Sequence, residues 1–372
     1  MDKRTTFLIS AVALGVAMFW GMLAQRNHWP PYQLVKVALD LASPPPGGGH
    51  LRPDPARVEE IDPRYREVDP LSLVHAADPF AFEELRSELV AFLFGEDMLP
   101  ADLPHALDPV EHPDFGREVG VWEVRMDFGL TSTVFDVPGD GPVVLYHQGH
   151  GQTTAECAET VRALNDAGCR VLVFAMPLEA RNPGVHLPNR LELASHMQLA
   201  WLNQDEGHPV RLLVEPVLVM LNELEAEGTP GQTTMIGLSG GGWTTTLAAA
   251  IDPRIGLSIP VAGTLPLWLR TGVPGDWGDW EQNLPEMYSR WSYLDLYILG
   301  ATGEGRAQLQ ILNQYDPVCF AGIRSQLYAE TVSNIVDSLG PGGFEVFVDD
   351  THARHDISVA ARSLILELIG GL

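Results

Sequence analysis

Hydrophobic positions change rhythm three times along this chain. From Phe7 to Ala24 they are almost unbroken (FLISAVALGVAMFWGMLA), a run about long enough to cross a bilayer as a helix. From Ser43 they thin out: Pro44-Pro45-Pro46-Gly47-Gly48-Gly49 cannot continue a helix, and the chain stays rich in Pro and charge to about Asp69, so this stretch reads as a linker. From about Asp78 they become periodic. Phe80, Phe82, Leu85, Leu89 and Phe92 have helical spacing and predict an amphipathic helix over 79–94. Residues 121–126 and 131–137 alternate like a strand pair joined at Gly129. Short apolar strands then follow at 143–146, 170–175, 233–237, 256–261, 308–313 and 344–348. Helix-like segments separate them at 154–166, 211–227, 241–250, 323–339 and 357–369. Alternating strands and helices, with strands not strictly two-sided, predict an α/β fold: a mostly parallel central sheet with helices on both faces. Residues 264–306, after the sixth predicted strand, break the alternation. They carry Trp268, Trp277, Trp280, Trp291, Tyr288, Tyr293 and Tyr297. This aromatic-rich insertion reads either as a lid or substrate wall, or as ordinary aromatic packing.

Three regions follow from that pattern: an N-terminal membrane anchor or signal segment at 1–42, a linker at 43–77, and a globular body at 78–372. Lys3 and Arg4 precede the apolar run, so the positive-inside tendency keeps the N-terminus in the cytoplasm and exports the rest, to the periplasm or outside the cell. Ala24 suits the −1 position of a cleavage site but Met22 does not suit −3, which points to an uncleaved anchor. Trp29-Pro30-Pro31 suits an interfacial exit. The chain has 49 acidic and 23 basic side chains, a formal charge of -26. Such a surface repels phosphate backbones and argues against nucleic-acid binding. Cys157, Cys169 and Cys319 are odd in number, which rules out full intrachain pairing. Cys157 and Cys169 flank a predicted helix and could pair; buried reduced thiols are the simpler reading. No CxxC or Cys/His cluster is present, so a structural zinc site has no support.

The densest chemistry lies in Thr233-Thr234-Met235-Ile236-Gly237-Leu238-Ser239-Gly240-Gly241-Gly242-Trp243. Gly237, Ser239 and Gly241 form G-x-S-x-G between an apolar strand and a helix-like segment. A serine at such a sharp turn has a strained backbone, and side chains two residues either side would strike the neighbouring strand and helix. The turn lifts Oγ clear of the sheet and sets it at a helix N-terminus, where N–H groups favour a developing oxyanion. The competing reading is a glycine-rich turn with an incidental serine.

On these residues and the element order, the segment from about Val121 to Leu372 resembles the α/β-hydrolase superfamily, in the manner of secreted esterases and dienelactone-hydrolase-like enzymes. The resemblance implies a chain order Ser, acid, His and an oxyanion loop after the third strand. Tyr146-His147-Gln148-Gly149-His150-Gly151-Gln152 is similar to that loop. It would supply one backbone N–H, from Gln148, Gly149 or His150, and Gly240 would supply the other. His147, His150, His352 and Trp243 are candidates for the pocket. Two histidines in the loop raise metal binding, but the nearby sequence offers no third ligand at suitable spacing. Asp316, in the turn that ends the strand at 308–313, fits the acid, with Asp295 as runner-up. His355 and His352 compete for the base, and the loop length favours His355. His186, His196 and His208 precede the nucleophile and read as loop or helix surface, with His186 a possible pocket residue. Glu179, Arg181 and Asn182 follow the fourth strand and either border the site or form a surface loop. The implied enzyme is a serine hydrolase (Ser239, Asp316, His355) that cleaves a small-molecule carboxylic ester through an acyl-enzyme and needs no cofactor. A serine peptidase or amidase on the same fold and a non-catalytic binding protein remain open alternatives. The acyl and alcohol groups and the oligomeric state are not legible.

Overall fold

The computed structural model describes residues 57–76, 78–188, 191–202, 207–229, 231–270 and 276–371. The membrane anchor or signal segment expected at 1–42, and the expected linker from 43 to 56, lie outside the described residues. Among the described residues no helix is long and apolar enough to cross a membrane.

The centre is a nine-stranded sheet built from β1 (His105–His112), β2 (Arg117–Arg125), β3 (Thr131–Val137), β4 (Val143–His147), β5 (Arg170–Phe174), β6 (Thr233–Leu238), β7 (Ile255–Val261), β8 (Ala307–Asn313) and β9 (Phe344–Asp349). The spatial order is β1-β2-β3-β5-β4-β6-β7-β8-β9. β1, β2, β3 and β5 pair antiparallel, and the strands from β5 through β9 pair parallel. Every residue of β4, β6 and β7 is buried, because helices cover both faces. Successive strand residues then serve opposite cores. Val144 and Tyr146 pack with α2 (Thr154–Asp166) and α7 (Val359–Gly370) on one side. Leu145 and Met235 pack on the other with α1 (Pro79–Phe94), α3 (Glu215–Ala226), α4 (Gly240–Ile251), α5 (Tyr293–Ala301) and α6 (Ala329–Leu339).

Local chemistry sets the helix ends. The Asp78 side chain accepts from Ala81 N and Gly95 closes α1 in the left-handed region. Thr153 and Glu156 form a capping box on α2. Two buried arginines reach carbonyls around the ends of α4 and α5. Arg86 Nη1 donates to Ala250 O at 2.6 Å, and Arg306 Nη1 donates to Leu299 O at 2.7 Å. Cations suit these positions because helix C-termini present unsatisfied carbonyls and partial negative charge.

The structure corrects several expectations. β1 was not foreseen: it is an exposed edge strand whose pairing slips between Leu107 and Val110. Pro109 falls at that slip, where a missing N–H is tolerated. The strand shifts the count, so the insertion follows the seventh strand of the sheet. Residues 211–227 and 323–339 each begin as a 3-10 turn, and their α-helical parts are α3 and α6. Phe80 points to solvent at 72% exposure, and Arg86 takes a buried place in α1 instead. Residues 57–76 do not behave as a linker: Ile61 and Tyr65 are buried in the larger core, and His75 N donates to buried Asp295 at 2.9 Å. Anchors this sparse have no period that sequence reading can detect. Within the insertion, Tyr288, Trp291, Tyr293 and Tyr297 are core residues, whereas Trp277 is exposed. Cys157, Cys169 and Cys319 are all free thiols.

Tyr65→Ala is expected to cost about 3 kcal/mol, as for other large-to-small core changes. Urea denaturation tests this; a change under about 0.5 kcal/mol, the usual surface value, would return the segment to a linker.

Candidate active site

The turn after β6 determines the site. Ser239 has φ 57° and ψ −122°, and its N–H donates to Val261 O at 2.8 Å. A Cβ at Gly237 would lie 2.1 Å from Gly241 O, and one at Gly241 would lie 2.2 Å from His147 O. Only glycine permits those backbone approaches, so the motif is a packing requirement before it is a chemical one. The same closeness brings in the loop after β4. A Cβ on Gly149 would sit 2.9 Å from Ser239 Cβ, and one on Gly240 would sit 2.4 Å from the His150 ring.

At the same edge of the sheet, the turn after β8 presents Asp316. Its Oδ1 accepts from Val318 N at 2.8 Å and Cys319 N at 2.9 Å. Its Oδ2 accepts from Asn313 Nδ2 at 3.1 Å. His355, in the loop after β9, places Nδ1 2.8 Å and 3.0 Å from the two carboxylate oxygens. Ser239 Oγ stands 4.0 Å from Cys319 Sγ, so the serine adjoins the turn that holds the acid. Among the described residues no hydrogen bond joins Ser239 Oγ to His355.

No protein-family model matches this sequence, and no curated protein does. Solved structures do match. Acetyl xylan esterase 1 from Thermoanaerobacterium sp. JW/SL YS485 is similar at TM-score 0.52 and 13% identity, covering 82% of this chain and 97% of that one. A glucuronoyl esterase from Solibacter usitatus is similar at TM-score 0.52 and 12% identity, covering 78% and 91%. The chain has the α/β-hydrolase fold.

Within the α/β-hydrolase fold, the remaining predicted residues sort by what they touch. His352 has a partner at each ring nitrogen: Nε2 lies 3.2 Å from Asn313 Oδ1 and Nδ1 lies 3.1 Å from Asp356 Oδ1. Asn313, which sequence reasoning missed, thus links His352 to Asp316. His147 is buried beneath the loop, with Nδ1 2.8 Å from Gln148 O. Trp243 is also buried, and donates to Tyr288 OH at 2.7 Å. Asp295 caps α5, accepting from Ser292 N at 2.7 Å, and lies 2.6 Å from His75 Nδ1. Both of those contacts are to Oδ2, and Oδ1 accepts from His75 N at 2.9 Å, so both oxygens are engaged. His186 is exposed in a two-residue strand pairing, and His208 caps a 3-10 turn.

In the β4 loop, Gln148 N donates to Phe174 O at 3.0 Å, which removes it as a free donor. Gly149 N donates to Gln152 Oε1 at 3.1 Å. Arg181 supports the loop from below, donating to Gln148 Oε1 at 2.7 Å. Asn182 is structural, donating to Ala175 O and Met176 O. Glu179 does border the site, with Oε2 accepting from Gly151 N at 2.7 Å.

His196 departs most from expectation. It is 6% exposed, and its ring stacks on that of His150 at 4.2 Å between centroids. Glu179, Asp279 and Glu281 surround the pair. Burial lowers His196, but Asp279 and then Glu179 outweigh it and hold the ring up at about 9. Burial pushes Glu281 up to about 7. Asp279, despite burial, is held below the carboxylate range by His150 and His196.

Burial pushes His147 down to about 4, against about 6.5 in an unfolded chain. Between those values the folded protein binds fewer protons than the unfolded chain, so this contribution to stability is present above pH 6.5 and is lost as pH falls towards 4. His147→Gln is expected to flatten the decline in unfolding free energy between pH 7 and 4 by up to about 3 kcal/mol. An unaltered slope in urea titrations at each pH would refute the buried neutral ring.

Proposed function

We propose that this protein is a serine hydrolase that cleaves a carboxylic ester through an acyl-enzyme, with Ser239 as nucleophile, His355 as base and Asp316 as its orienting acid. The observation that carries this reading is the clamp of His355 Nδ1 on Asp316, 2.8 Å and 3.0 Å from its oxygens, on the turn that also abuts Ser239. A serine hydroxyl is a weak nucleophile until a base removes its proton. With Nδ1 held by the carboxylate, Nε2 is the nitrogen left to take the Ser239 proton, and Asp316 stabilises the imidazolium that results. Closure of Ser239 Oγ onto Nε2 belongs to the substrate complex, where such bonds tighten.

Gly240 opens α4, so its N–H lacks an intrahelical acceptor and serves the oxyanion. The second donor is assigned to His150 N–H. Gln148 N–H is spent on Phe174, and Gly149 N–H is engaged by Gln152. The solved neighbours of this fold described above are esterases by name, which supports an ester over an amide as the first substrate to test. We also propose placement outside the cytoplasmic membrane, on the apolar run at 7–24 and on Lys3 and Arg4 before it.

Ser239→Ala is expected to abolish both p-nitrophenyl ester hydrolysis and fluorophosphonate labelling. Labelling that persists without Ser239, or wild-type protein that fails to label while folded, would overturn the assignment. Aminoacyl anilides in the same panel separate esterase from peptidase.

Asp316→Asn is expected to lower kcat on the order of 10³- to 10⁴-fold, as loss of the orienting carboxylate does elsewhere. His355→Gln should be at least as damaging, whereas His352→Gln should retain most activity. Equal losses at His352 and His355 would displace His355 from the base role.

A further inference from the structure

Next to the serine turn, two histidines and a glutamate converge from three separate segments. His150 comes from the β4 loop, His196 from the chain between β5 and α3, and Glu281 from the insertion after β7. Their donor atoms all lie within 4.8 Å of one another. His150 Nε2 is 3.4 Å from Glu281 Oε1. Glu281 is 0% exposed. Among the described residues, both its carboxylate oxygens, both ring nitrogens of His196 and Nε2 of His150 are shut off from solvent with no well-aligned hydrogen-bond partner.

An unpaired buried carboxylate beside two unpaired imidazole nitrogens is costly unless something binds there. The other ring nitrogens have carboxylates of their own. Asp279 Oδ2 lies 3.0 Å from His150 Nδ1, and Glu179 Oε1 lies 2.7 Å from His196 Nδ1. A carboxylate near each Nδ1 can keep the proton on that nitrogen while a metal ion displaces the proton from Nε2, as in carboxylate–histidine–metal sites, so binding releases protons. The backbone of Glu281 is also held in place, since its carbonyl accepts from Tyr288 OH at 3.1 Å.

We infer that His150 Nε2, His196 Nε2 and the Glu281 carboxylate form a binding site for one divalent transition-metal ion, with zinc preferred. Two imidazoles and a carboxylate match the donor set that zinc takes, with about 2.1 Å to each donor and a fourth position open. Magnesium and calcium prefer all-oxygen shells and are disfavoured here. The His150 Nε2–Glu281 Oε1 pair already has the ~3.4 Å separation of a tetrahedral shell, and side-chain adjustment must bring the other donor pairs, which lie within 4.8 Å, to the same spacing. The ion also offsets the charge of Glu179, Asp279 and Glu281. It ties the insertion to the β4 loop, and so fixes the residue whose N–H is assigned to the oxyanion.

The test uses the full chain, stripped with a chelator and dialysed, then titrated with zinc chloride by calorimetry and followed by thermal denaturation. One zinc ion per chain with Kd at or below about 1 µM, and a Tm that rises with zinc but not with magnesium, is the expected result. Glu281→Gln and His196→Gln should each weaken zinc binding at least 100-fold, and Glu179→Gln by 10- to 100-fold. In the metal-free protein Glu281→Gln should raise Tm, because it removes an uncompensated buried carboxylate. That rise shows the variant is folded while it fails to bind. Absence of zinc binding by wild type, or equal binding by the Glu281 and His196 variants, overturns the site. Repeating the titration on Ser239→Ala, which should bind zinc normally, separates failure of this site from failure of the hydrolase reading.

Discussion

The tight contact between the turn after β6 and the end of β4 governs this molecule. Backbone atoms at 237, 241 and 147 meet where no Cβ fits, and Ser239 is forced into a left-handed conformation as a result. Such a residue costs about 1–3 kcal/mol and persists only when its surroundings over-determine it. Here they do: β4, β6 and β7 are buried throughout, α4 is buried along its length, and Val261 O holds the serine N–H. The strain is paid once, and it places the hydroxyl, the His150 loop and the first N–H groups of α4 in one spot.

Around that turn, buried charge is handled in two ways. Asp316 and Asp295 are each surrounded by N–H donors and one histidine. Arg86 and Arg306 lie against carbonyls at helix ends. Every charge in these settings has donors or acceptors that match it. The cluster of His150, His196, Glu179, Asp279 and Glu281 is different. It holds more carboxylate than N–H donors can satisfy, and polar atoms remain unpaired. Departures of this kind from local consistency gather at functional sites, which is why the cluster and the serine turn are best understood together.

The insertion bears out the packing reading of its aromatic composition. Trp291, Tyr293 and Tyr297 pack into the core, so most of the aromatic content is structural. Yet Trp243, Tyr288 and the carbonyl of Glu281 form one hydrogen-bonded chain from α4 into the insertion. Packing the aromatics is what brings the two acidic residues, Asp279 and Glu281, over the β4 loop.

Features set by neighbours in sequence were legible from the chain alone. α1 has the bounds its apolar spacing predicted and α2 the bounds expected for it, with Asp78, Gly95, Thr153 and Glu156 capping their ends, because periodicity and caps act within a few residues. The elbow was legible because glycine spacing reports backbone contact directly. The β4 loop was found, but its donor was not, since that depends on Phe174 O taking the Gln148 N–H across the sheet. The edge strand β1 and the packed segment 57–76 escaped because neither shows a strong apolar period. Sequence by itself therefore determined the α/β alternation and the serine turn, while the expectation that Asp316 and His355 follow in that order came from the resemblance to the α/β-hydrolases. Only the tertiary structure decided that His355 rather than His352 grips Asp316, and that His150, His196 and Glu281 meet. The reason is physical: caps and periodicities are short-range, whereas side chains from distant segments converge only once a shared core has fixed the elements that carry them.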